Sequence, residues 1–140
     1  MKCLVAATIL SILQITATST AYAQIAVIVN PANPNDISTG EIERIFLGKV
    51  SNFADGSRAI PLNLAEANPA RDEFNNKVLN RDAAQVKAHW SKMVFAGKGK
   101  LPTELGDDAA VKAEVARNPN AISYIQSSSI DGSVRVVARY

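Results

Sequence analysis

Thiols are almost missing from this sequence. Cys3 is the only cysteine, and it sits in the N-terminal leader, so the rest of the chain has no disulfide and no thiol nucleophile. Imidazole is as scarce. His89 stands alone, at helical spacing with Val86, Trp90 and Met93, where an apolar stripe points to a structural role rather than a catalytic base. With one histidine and carboxylates scattered as Glu41/Glu43, Asp72/Glu73 and Asp107/Asp108, there is no ligand spacing for zinc and no calcium loop. Ser127-Ser128-Ser129 lacks a G-x-S-x-G frame. These absences argue against an enzyme and against a bound metal or cofactor. An excess of one charge is also missing: 15 Lys and Arg face 13 Asp and Glu, interspersed, and only Lys98 and Lys100 approach a basic cluster, so nucleic acid is not an expected partner. Aromatics make up 6 % of residues, and Phe46, Phe53, Phe74, Trp90, Phe95 and Tyr124 fall at helix and strand positions where core packing is the expectation.

What is present begins with a leader. Lys2 gives a positive start, Leu4 to Ile15 an apolar segment, and Ala21-Tyr22-Ala23 a cleavage site before Gln24, so residues 1–23 read as a secretory signal and the mature protein as periplasmic. The apolar part is too short for a bilayer span, and no later stretch is longer, so no membrane insertion is expected after cleavage. Cys3 has no small-residue lipobox before it, which argues against a lipoprotein. Residues 24–140 are the right length for one domain with its own core.

Along that domain, Ile25 to Asn30 is a short β-branched run suited to a strand buried on both faces. Ser38 and Glu41 then form a capping box, with Ile37 and Ile42 as its hydrophobic staple and Ile42, Ile45 and Phe46 as the buried stripe of a helix ended by Gly48. A strand over 59–65 passes through a polar turn into a helix started by Asn68 and Pro69, on which Ala70, Phe74 and Val78 fall four apart. Further helices start at Asp82 and at Asp107 or Asp108, and strands over 121–126 and 134–139 close the chain. The junction at Asn68 is the candidate site. Free amides at a helix start can receive an anion, which singles out Asn68, Ala70 and Arg71 as ligand-binding candidates. The element order, β-α-β-α-α-α-β-β, predicts an α/β domain with a mostly parallel sheet flanked by helices, the last strand allowed to run antiparallel.

Several ordered motifs resemble a known family, the periplasmic phosphate-binding proteins of ABC transporters, and specifically their second lobe, which has the type II periplasmic-binding-protein fold. The carriers are Ile25-Ala26-Val27-Ile28-Val29-Asn30-Pro31, Glu41 to Val50 with its Ile45-Phe46-Leu47-Gly48-Lys49-Val50 ending, Arg71-Asp72-Glu73-Phe74, Trp90, and Asn118-Pro119-Asn120-Ala121-Ile122-Ser123-Tyr124. The resemblance implies a single lobe of that fold and a solute-binding role. At the junction, where the family reads approximately R-x-x-G-S-G-T-R-D-x-F, this sequence has Leu64 in place of the first arginine and Asn68-Pro69-Ala70 in place of S-G-T, and it keeps Arg71-Asp72. Two hydroxyl donors and a cation are thereby absent. The implied ligand is phosphate or another oxyanion, held weakly at Asn68, Ala70 and Arg71. The alternative is a periplasmic interaction module that has kept the lobe and lost the phosphate site, binding a protein partner or a second copy of itself through the cleft face.

Overall fold

A computed structural model describes residues 24–140, and the expected signal segment, residues 1–23, lies outside the described residues. Five strands, β1 (Ile25–Val29), β2 (Ile60–Leu64), β3 (Thr103–Leu105), β4 (Ala121–Gln126) and β5 (Arg135–Arg139), form one sheet in the order β3-β2-β4-β1-β5. Four helices flank it: α1 (Thr39–Phe46), α2 (Pro69–Lys77), α3 (Ala83–Phe95) and α4 (Asp108–Arg117). None of the described helices is long and apolar enough to cross a membrane.

The α/β lobe is as expected, but its sheet is mixed rather than mostly parallel. β2 runs parallel to β3 and β4, whereas β1 runs antiparallel to β4 and to β5. The reason lies in what an apolar run reports. All five residues of β1 are fully buried, as Ile-Ala-Val-Ile-Val suggests, yet a strand covered on both faces reads the same whichever way its neighbours run. A second difference is β3, an extra strand where the sequence reads as loop and helix start. It has three residues, two of them exposed, and sits at the sheet's edge, too short and too polar to show alternation.

Helix starts follow their capping chemistry closely. Ser38 accepts from the Glu41 amide while Glu41 accepts from the Ser38 amide at 2.8 Å, a bond that holds the Glu41 carboxyl below its ordinary pKa. Asp82 and Gln85 repeat the box on α3, and Asp107 caps α4 through the Ala110 amide at 2.8 Å. Asn80, in the left-handed region with φ of 51°, turns the chain between α2 and α3.

Between α1, α2 and the sheet lies an aromatic cluster. The Phe74 and Tyr124 rings are stacked 3.9 Å apart, and both meet Phe46 edge-on. Burial pushes the Tyr124 phenol pKa well above its ordinary value, so it stays protonated, donates to Asn63 Oδ1 and accepts from the Leu64 amide at 3.3 Å. This cluster anchors the end of β2, the strand that leads into the candidate site.

Candidate functional site

At the carboxyl end of β2, Asn68 caps α2 as its sequence suggests, with Pro69 in the first helical position. The Asn68 Oδ1 accepts from the Ala70 amide at 3.0 Å, and the Asn68 carbonyl accepts from the Arg71 amide at 3.0 Å. Both amides expected to face a ligand are therefore engaged by the cap itself. Arg71 differs. Its side chain is 11 % exposed, and Nη1 donates to the Leu64 carbonyl at 3.0 Å and to Glu104 Oε1 at 2.6 Å, joining β2 to edge strand β3. Nε and Nη2 have no protein partner among the described residues, so one edge of the guanidinium stays available. Leu64, which stands where the resembled family has a cation, is fully buried and contributes only packing.

Beside Arg71 opens a cleft of about 810 Å³ between α2, α3 and β3. Its polar side carries Arg71, Asp72 and Asn75 from α2, with Glu66 before that helix and Glu104 on β3. Its apolar side is a stripe of α3, Val86, Trp90 and Val94 at successive turns, continued by Phe95 and Leu101. Asn75 is 3 % exposed, and its side-chain amide has no partner among the described residues. Sequence reasoning missed it, although it lies four residues after Arg71 and so shares its helical face. Glu104 carried no signal, because its partner is distant in sequence and its strand is too short to recognise. Phe95 corrects an expectation: its helical position predicts a core aromatic, and it is 95 % exposed. Five residues beyond Trp90 on an α-helix is well round the cylinder from the buried stripe, so Phe95 stands at the cleft's rim.

His89 takes no part in the cleft. Its Nε2 lies 2.7 Å from the Leu47 carbonyl, which only accepts, so Nε2 carries the proton and ties α3 to the end of α1, with the ring edge-on to Trp90. Replacing His89 with alanine should lower stability by about 1 kcal/mol, the worth of one such hydrogen bond, and leave ligand responses unchanged. A melting curve and a ligand titration of the variant check both halves.

No family model matches the sequence. Solved structures do match. A protein assigned as a phosphate ABC transporter substrate-binding protein from Clostridium perfringens, with phosphate bound, superposes with a TM-score of 0.65 at 23 % identity, over 83 % of this chain and 44 % of its own. The chain has the fold of one lobe of such a binding protein. An ABC-type phosphate transport receptor from Vibrio cholerae gives 0.65 at 17 % identity, covering 81 % of this chain and 45 % of that one. PstS from Borrelia burgdorferi gives 0.64 at 13 %, covering 84 % and 47 %. The chain thus spans a little under half the length of the solute-binding-like proteins it matches, and the single-lobe expectation agrees with that.

Proposed function

We propose that this chain is an exported, periplasmic, non-enzymatic binding lobe whose working surface is the cleft, with an oxyanionic group of the ligand received weakly at Arg71. The observation that carries the reading is the half-used guanidinium: Arg71 is almost buried, fixed through Nη1 to Leu64 and Glu104, and has Nε and Nη2 left over. A fixed guanidinium loses little entropy when it pairs with a carboxylate or phosphate, and such bonds are charge-assisted. Asn68 and Ala70 then serve the ligand indirectly, by setting the start of the helix that carries Arg71. The fold shared with phosphate-binding transport proteins supports a solute-binding role. Binding is weak because Glu104 already neutralises part of the charge.

The test is to follow melting temperature while titrating the mature protein with phosphate, sulfate and acetate. A site with a dissociation constant of about 1 mM adds roughly 1.4 kcal/mol at 10 mM anion, through RT ln(1 + [L]/Kd). Sulfate and phosphate also stabilise proteins by exclusion from their surfaces, so the double variant Arg71→Ala, Asn68→Ala serves as control and should keep only that general part. Equal shifts in wild type and variant with every anion would overturn the oxyanion reading and leave the interaction module in its place. One observation favours that second reading: Val94, Phe95 and Leu101 are 46 %, 95 % and 52 % exposed on a single rim.

A further inference from the structure

The cleft carries both signs of charge and an uncovered apolar wall, a combination that suits a ligand with both charges and an apolar body better than phosphate alone or a purely apolar ligand. Beside the paired Arg71 and Glu104 it presents Glu66, Asp72 and Lys87, and none of these three has an ion-pair partner among the described residues. Phosphate at Arg71 would therefore stand near three carboxylates, a repulsion that grows as water is excluded. A ligand bearing one cation and one anion meets attraction at both ends instead. Across the cleft from those groups stands the wall of Trp90, Val94, Phe95 and Leu101, and three of these four are among the most exposed large apolar side chains of the described residues. Asn75 supplies the second polar contact. It is buried to 97 parts in a hundred, judged by its 3 % exposure, lines the cleft one helical turn from Arg71, and leaves its amide unpaired within the protein.

We propose that the cleft binds an apolar zwitterion of the amino-acid class, either a short peptide or a single amino acid with apolar side chains. The carboxylate meets the free edge of Arg71 and the Asn75 amide, the ammonium meets the Asp72 and Glu66 side, and the side chains cover Trp90, Val94, Phe95 and Leu101. This rests on the cleft being the binding surface and Arg71 its anion anchor. At about 810 Å³ the cleft falls within the ordinary range for small-ligand sites, with room for more than one residue.

Isothermal titration of the mature protein tests it with leucyl-leucine, its N-acetyl and C-amide forms, glycyl-glycine, free leucine and acetate. Leucyl-leucine should bind at least about tenfold more tightly than acetate, and blocking either terminus or removing the side chains should each cost about tenfold. Free leucine binding as well as the dipeptide identifies a single residue as the ligand; weaker binding identifies the peptide. Phe95→Ser should weaken leucyl-leucine and leave the melting temperature of the unliganded protein unchanged, because the ring is 95 % exposed. Asn75→Ala should weaken it too. Blocked and unblocked peptides binding alike, or none binding more tightly than acetate, would overturn the inference. If acetate still responds to Arg71→Ala in that case, the oxyanion reading stands without it; if neither acetate nor peptide responds, both fall.

Discussion

Replacing Phe74 with alanine should remove about 3–5 kcal/mol of stability, a large part of the 5–15 kcal/mol that holds a domain of this kind together. Phe74 is 1 % exposed and stacks on Tyr124 at 3.9 Å while meeting Phe46 edge-on at 4.7 Å. It matters more here than a phenylalanine in an ordinary amphipathic helix would. The other buried residues of α2 are Ala70, which is small, and Arg71 and Asn75, which are polar, so Phe74 is the one large apolar anchor within the helix, with Val78 and Leu79 buried just past its end. Truncation would leave a cavity beside Tyr124 and loosen the helix that fixes Arg71. Urea denaturation checks this: the midpoint should fall steeply with the slope unchanged, and Phe74→Leu should recover most of the loss because it refills the volume. A loss below about 1 kcal/mol would show that the site collapses around the gap and that α2 is anchored some other way.

Gly48→Ala should cost about 2–4 kcal/mol, from two sources that a second variant separates. Gly48 has φ of 71°, a conformation that costs an L-residue roughly 1–2 kcal/mol, and an added Cβ would come within 2.7 Å of Trp90 Cη2. Gly56 has φ of 87° and nothing within reach of an added Cβ, so Gly56→Ala should show the backbone part alone. The excess of Gly48→Ala over Gly56→Ala then measures how tightly Trp90 is held. Because Trp90 also lines the cleft, Gly48→Ala should disturb ligand binding, and Gly56→Ala should not. Equal losses from the two variants would mean that the indole shifts at no cost.

Local signals in the sequence were reliable, and distant ones were not. Ser38, Asp82, Asp107 and Asn68 announce their helices because capping is a contact between residues two or three apart. The stripe of Ile42, Ile45 and Phe46 announces its burial because helical period is equally local. Strand direction in β1 was hidden, since its partners lie about a hundred residues away and its apolar run reports only that both faces are covered. The candidate site divides along the same line. Arg71 and its cap were visible from the junction alone, whereas Glu104, which shares the Arg71 guanidinium, comes from a three-residue strand 33 positions further on. Phe95 departs from the core for a geometric reason: a helical residue close in sequence to a buried stripe can still point away from it.

The placing of β1 between β4 and β5 has a consequence for the order of events in time. Among the described residues β1 pairs only with β4 and β5, so none of that ladder can form until residues 121–139 are available. Contacts of such long sequence separation are reached late and slowly, because the closure of a long loop precedes any gain from pairing. During synthesis the β-branched segment of β1 therefore waits without its native partners, exposed to whatever binds extended apolar chain. In this topology, the delay that slows folding keeps the first strand of the sheet extended until residues 121–139 have been made.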